Sequence, residues 1–172
     1  TATSKEGQGT TFIVNLPFKV APTVAPSAAA PLEPKDILPP CSLQGKHLLL
    51  AEDNIINQKV VLGLLKDTGA TISTADNGQL ALELFQKSAP HAFDLILMDI
   101  QMPILNGYEA AQKIRSCGRE DSATIPIIAL SANAFAEDVS KSLAAGMNGH
   151  IAKPIDLKQM YTILAKLLLK KK

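Results

Sequence analysis

The sequence predicts an α/β fold: a (βα)5 doubly wound, five-stranded parallel sheet with strand order 2-1-3-4-5. Strand-like apolar runs alternate with helical patterns five times from Gln44 onward. The runs are almost unbroken in apolar residues, as strands buried on both faces of a parallel sheet require. Right-handed crossovers leave few topologies for such a series.

The elements follow in order. His47 to Ala51 is a short apolar run ending in Glu52-Asp53. Asn54 to Thr68 reads as a helix, with Ile56, Val60, Val61, Leu64 and Leu65 at helical spacing and Gly69 as its stop. The run 70–75 is β-branched and strand-like, and 77–87 places Leu80, Ala81, Leu84 and Phe85 on one helical face. Residues 93–98 form an apolar strand ending at Asp99, and Asn106-Gly107 opens a helix reaching about Cys117. Residues 125–130 read as a buried strand ending at Ser131, followed by a helix over 133–145 that Gly146 stops. A short strand over 149–152 ends at Lys153, and a helix over 155–169 carries Leu157, Met160, Leu164 and Leu168 on one side.

Two segments precede this series. Residues 1–19 contain Gly7 and Gly9 and the alternating run Thr11 to Pro17, which reads as the end of a strand. Residues 20–43 are rich in proline and alanine and read as a disordered linker, because that composition buries too little apolar surface to order itself. Residues 1–43 together are expected to be largely disordered, and 44–172 to form the folded domain. The chain opens on Thr1 rather than Met and reads as part of a longer protein.

Composition narrows the function. Hydrophobic residues make up 47% and charged residues 19%, as in soluble globular proteins. A formal net charge of +1 gives no electrostatic footprint for nucleic acid. The basic run Lys170 to Lys172 reads as a solvated tail. No apolar run approaches the ~20 residues that span a bilayer, so no membrane contact is expected of this segment. Cys41 and Cys117 fit neither a disulfide framework nor a metal site and read as free thiols of a reducing cytosol. A cytoplasmic location follows for the segment and leaves open whether its parent is anchored in a membrane.

In doubly wound sheets the working groups lie beyond the carboxyl ends of the strands. The first strand ends in Glu52 and Asp53, the third in Asp99, the fourth in Ser131 and the fifth in Lys153. In the order 2-1-3-4-5 those strands are neighbours, so these side chains converge. Ionised carboxylates crowded together need a cation, and an all-oxygen set suits Mg²⁺. An amine and a hydroxyl beside them match a phosphoryl-transfer site, where an aspartate serves as covalent acceptor. Taken singly, each residue has a plainer explanation. Glu52 and Asp53 read equally as charges at a helix N-terminus, Asp99 as a turn former, Ser131 as an N-cap and Lys153 as a surface lysine. The conjunction favours the site, since a solvated edge would not select one end of the sheet.

The stretches LLLAEDN (48–54), LILMDIQMPILNGYEA (95–110), PIIALSANAF (126–135) and GHIAKPID (149–156) resemble the receiver domain of two-component signalling, whose fold is flavodoxin-like. The resemblance spans 46–169. It implies that Asp99 is the phospho-acceptor, that Glu52 and Asp53 are the acidic pair with Asp53 a direct Mg²⁺ ligand, and that the Gln101 carbonyl completes the metal shell. It implies that Ser131 is the switch hydroxyl, that Lys153 is the lysine of the site, and that Lys153-Pro154 is cis. The switch aromatic of the family is usually Tyr or Phe; here the position holds His150, which reads either as the switch ring or as an ordinary half-exposed histidine. Ala132 leaves room for access to the phosphoryl group. The run Gly7 to Phe12 with Val14 to Pro17 resembles the end of a histidine-kinase ATP-binding domain, so the resemblance implies a hybrid sensor histidine kinase as parent.

The expected function is a phosphoryl-accepting relay module, not itself an enzyme acting on other substrates. It would take its group from a phosphohistidine domain of a histidine kinase and signal onward or pass the group to a histidine phosphotransfer domain. Output is expected through protein contact, since no DNA-binding domain follows Leu169. Two alternatives compete. A pure interaction module has no need of the acidic pair, Asp99, Ser131 and Lys153. A haloacid-dehalogenase-like phosphatase would carry an Asp-x-Asp pattern on its first strand, whereas Asp99 lies on the third and position 101 is Gln.

Overall fold

A computed structural model describes residues 1–5, 7–15, 42–132 and 136–168. The chain divides into two units, Thr1–Asp36 and Ile37–Lys172. In the first, β1 (Ala2–Lys5) pairs antiparallel with β2 (Gly9–Phe12), with Ala2 opposite Phe12 and Lys5 opposite Gly9. This corrects the expectation of disorder over the first residues. Gly7 and Gly9 adopt the positive φ that a tight reversal needs, and the β-branched threonines suit the strands on either side. The expected linker lies almost wholly outside the described residues.

The second unit is the five-stranded sheet. Its strands are β3 (His47–Ala51), β4 (Thr71–Ala75), β5 (Leu95–Asp99), β6 (Ile127–Ser131) and β7 (Gly149–Ala152). They pair in parallel in the order β4-β3-β5-β6-β7, which is 2-1-3-4-5 within this unit. Side chains alternate across the sheet, so the central strands β3, β5 and β6 each feed two cores. Leu49, Ile96, Met98 and Ile127 join Ala81, Phe85, Ala111 and Ile114 of α2 (Gly78–Lys87) and α3 (Gly107–Ser116). Leu48, Leu50, Leu97 and Ile128 join Val61 and Leu65 of α1 (Ile55–Leu65) and Met160, Leu164 and Leu168 of α5 (Leu157–Leu168). Leu43 is fully buried in this second core, and its amide donates to the Thr68 carbonyl at 2.8 Å. The folded domain therefore begins one residue before its expected start.

Three of the helices start where asparagines satisfy their free amides. Asn54, Asn77 and Asn106 cap α1, α2 and α3 through their side-chain oxygens. A Cβ on Gly107 would overlap the Asp99 carbonyl oxygen, and one on Gly78 the Leu105 carbonyl oxygen. Glycine at these two places lets the loop after β5 fold back tightly, which holds Asp99 in place. The helix α4 (Ala136–Ala144) is described from residue 136, so the expected helix start at 133 lies outside the described residues.

One face differs from the sequence reading. Ile56 and Val60, two of the five apolar residues at helical spacing in α1, are 68% and 48% exposed, and Ile55 is 59% exposed. The buried side of α1 is Gln58, Val61 and Leu65. Five apolar positions at helical spacing are compatible with two neighbouring faces, and only one of them meets the sheet.

Candidate functional site

The parallel register brings the carboxyl ends of β3, β5, β6 and β7 to one edge, and every expected side chain described there is present at that edge. Glu52 is fully buried, Asp99 and Ser131 are buried, and Asp53 is exposed. The Lys153 ammonium bridges the two buried acids, donating to Glu52 Oε2 at 2.7 Å and to Asp99 Oδ2 at 2.8 Å. One oxygen each from Glu52, Asp53 and Asp99 lie within 4.8 Å of one another. The peptide bond Lys153-Pro154 is cis, as expected. The backbone amide of Lys153 donates to the Ser131 carbonyl at 2.6 Å, so the two strand ends that carry the amine and the hydroxyl are joined directly.

The electrostatics follow from this crowding. Burial raises the Asp99 carboxyl above its ordinary value, and the charge of Glu52 adds to the effect; the bonds from Lys153 and the Gln101 amide oppose it without cancelling it. Burial works against the Lys153 ammonium, but its hydrogen bonds to Asp99 and Glu52 outweigh that and hold its pKa above the ordinary value. Lys153 is therefore a permanent cation facing a carboxylate that is reluctant to ionise. Gln101 is exposed, and its backbone amide donates to Asp99 Oδ1 at 3.3 Å. His150 Nε2 and Ser131 Oγ are 2.9 Å apart, within hydrogen-bond reach, which places the ring against the hydroxyl.

Sequence reasoning missed the layer behind Glu52. Asn57 Nδ2 donates to Glu52 Oε1 at 2.8 Å, and the buried Gln58 donates through Nε2 to the Glu52 carbonyl at 2.6 Å and to Asp76 Oδ1 at 2.8 Å. The signal was present: two amides sit in the first turn of α1, three and four residues past its cap, where that turn meets the end of β3.

Comparison with known proteins places these features. The family model for the response regulator receiver domain matches residues 48–165. "Hybrid signal transduction histidine kinase I" of Dictyostelium discoideum is 40% identical over 121 residues, 69% of this chain but 7% of that protein. The chain thus spans a small part of that relative's length. The receiver domain of a sensor histidine kinase from Pseudomonas aeruginosa, solved with a magnesium ion coordinated in its active-site cleft, superposes with a TM-score of 0.66 at 36% identity. That match covers 73% of this chain and 99% of the other. The receiver domain of Ssk1 from Saccharomyces cerevisiae, co-crystallised with the histidine phosphotransfer protein Ypd1, gives a TM-score of 0.64 at 30% identity, covering 72% of this chain and 89% of that one. Among the described residues no helix is long and apolar enough to cross a membrane. Strand order, the acid–lysine edge and the matched length agree: the chain belongs to the response regulator receiver domain family of two-component phosphorelays.

Proposed function

We propose that this domain accepts a phosphoryl group on Asp99 from a phosphohistidine of a hybrid sensor histidine kinase. It then signals by contact or passes the group on to a histidine of a phosphotransfer domain. The observation that carries this reading is the Lys153 ammonium held between Glu52 and Asp99 at the edge where Asp53 also arrives. In the transfer, an Asp99 carboxylate oxygen bonds to phosphorus as the donor's phosphorus–nitrogen bond breaks. The electron pair of that bond leaves with the imidazole, which takes up a proton from water. Lys153 moves from Asp99 to an oxygen of the arriving group and neutralises it, and Ser131 donates its hydroxyl to another. Withdrawal of Ser131 toward the phosphoryl group changes the bond it shares with His150, which links the chemistry to the surface around β7.

The oxygen donors are hard and anionic and fit Mg²⁺. Glu52, Asp53 and Asp99 would hold it, with the Gln101 carbonyl as a further donor. Bound there, the ion supplies positive charge to the transferring group. Label transfer from a phosphorylated histidine phosphotransfer protein should therefore stop in EDTA and resume with excess Mg²⁺. Incorporation that persists in EDTA rules out the metal role.

The partner's docking place is read from α1. Ile55, Ile56 and Val60 are exposed apolar side chains on the helix that leaves the Glu52-Asp53 end of β3, and Val60 borders a cleft with Asn57, Pro154 and Ile155. An apolar helical face beside the acceptor suits a helical phosphohistidine domain. The substitution Ile56→Asp should slow transfer from the protein donor by about tenfold, the effect of a moderate interface hot spot of ~1.4 kcal/mol. Labelling by acetyl phosphate, which has no use for docking, should change far less. Equal slowing with both donors would argue against docking at α1.

Residues 1–19 belong, in this proposal, to the end of the parent's ATP-binding domain. The domain promotes its own phosphorylation and dephosphorylation and turns over no separate substrate.

A further inference from the structure

Glu52 is the most enclosed group of the site. It is fully buried, and each carboxylate oxygen has one donor: Asn57 Nδ2 at Oε1, 2.8 Å, and Lys153 Nζ at Oε2, 2.7 Å. Its main chain is fixed as well, with the amide donating to the Ala75 carbonyl at 3.0 Å and the carbonyl accepting from Gln58 at 2.6 Å. The backbone cannot turn to reorient the carboxylate, so the side-chain donors alone set which oxygen faces the cluster. Asn57 is itself held: its backbone amide donates to the capping Asn54 Oδ1 at 3.4 Å, and its side chain lines the cleft of Val60, Lys153, Pro154 and Ile155.

We infer that Asn57 is a positioning residue, which fixes the Glu52 carboxylate by holding Oε1 so that Oε2 meets Lys153, the ammonium that also holds Asp99. The chemistry at position 57 is selective. An aspartate would set a second anion against Oε1, and an alanine or leucine would leave a buried carboxylate oxygen with no donor. Glu52 would then turn Oε1 also toward Lys153, the one other donor on its carboxylate, and a carboxylate paired twice to an ammonium has less charge to offer a divalent ion. The groups behind metal-binding carboxylates act in this way generally, and losing one weakens metal affinity by about tenfold or more.

The inference rests on the proposed metal-assisted transfer, and the test separates the two. Mg²⁺ alone is titrated into the whole chain, followed by ¹H–¹⁵N spectra, for the parent sequence, Asn57→Ala and Asn57→Gln. Acetyl phosphate labelling is measured in parallel across Mg²⁺ concentrations. The alanine variant should bind Mg²⁺ about tenfold more weakly. Its labelling rate at saturating Mg²⁺ should stay close to that of the parent sequence, a change in half-saturation rather than in maximal rate. The glutamine variant keeps the amide donor on a half-buried, flexible stem and should recover much of the lost affinity. Mg²⁺ affinity within twofold in Asn57→Ala, or equal loss in the alanine and glutamine variants, overturns the positioning role while leaving the transfer proposal standing. Failure of the parent sequence to bind Mg²⁺ overturns both.

Discussion

The Asp99→Asn protein should take no label from acetyl phosphate or from a phosphohistidine donor, against full incorporation by the parent sequence. An amide oxygen in place of the carboxylate is uncharged and forms no acyl phosphate. Glu52, although adjacent, is fully buried with both oxygens engaged, so it does not substitute. The expected loss is at least about a hundredfold, the scale on which a missing covalent nucleophile is felt. Label of normal intensity on Asp99→Asn would end the assignment. The same variant carries a second, independent signature. A carboxyl whose pKa is higher folded than unfolded contributes stability that is fully present below its unfolded value and is lost as pH rises through its folded value. Asp99 is such a group, so at neutral pH the parent sequence bears the cost of a buried, crowded anion that asparagine lacks. Without added metal the variant should be more stable at pH 7, with the difference shrinking as pH is lowered through the carboxylate range. Thermal melts at a series of pH values read this directly.

Much of this site was legible because of where polar residues interrupt apolar runs. β3, β5 and β6 are buried along almost their whole length, so their sequences must be apolar, and the first polar residue past each run marks the strand end. With the strand order fixed by the crossover rule, those ends had to be neighbours. The orientation of α1 was not legible in the same way. Helical spacing identifies a stripe but not its partner, and Ile56 and Val60 lie on the face turned away from the one that buries Gln58, Val61 and Leu65. Asn57 and Gln58 were invisible for another reason: amides in the first turn of a helix are common, and only the backbone of Glu52 tells that they have a target. The hairpin of the first unit was under-read because its composition is polar and its pairing rests on main-chain bonds rather than on a buried face.

Loss of the Arg119 side chain should damage the fold severely, and nothing in the local sequence announces it. Its guanidinium binds Asp121 with two donors, Nε at 2.5 Å and Nη2 at 2.8 Å, and caps the Phe85 carbonyl and the Ser88 carbonyl and hydroxyl through Nη1. It also stacks over the Phe85 ring at 3.6 Å. Asp121 is buried and additionally accepts the His91 amide at 2.7 Å. One cation thus ties the end of α2 to the loops that enter β5 and β6, at the amino ends of the strands and away from Asp99. Arg119→Ala strands a buried carboxylate and uncovers two carbonyls, which should cost about 3–5 kcal/mol, a large share of the ~5–15 kcal/mol that holds a domain of this size together. The double substitution Arg119→Ala with Asp121→Ala should cost less than Arg119→Ala alone, because the stranded anion is gone. The pH dependence has a definite sign. The Arg119 bond holds the Asp121 carboxyl below its ordinary value despite burial, so the pair stabilises the fold above the unfolded carboxylate pKa of ~3.9, and that stability is lost as pH falls through the depressed folded value. The gap between parent and Arg119→Ala should therefore be widest near neutrality and narrow in acid. Below its melting temperature the variant should still take phosphate on Asp99. A variant that melts with the parent sequence, or one that is stable yet cannot be labelled, would show that Arg119 does something other than hold this end of the sheet together.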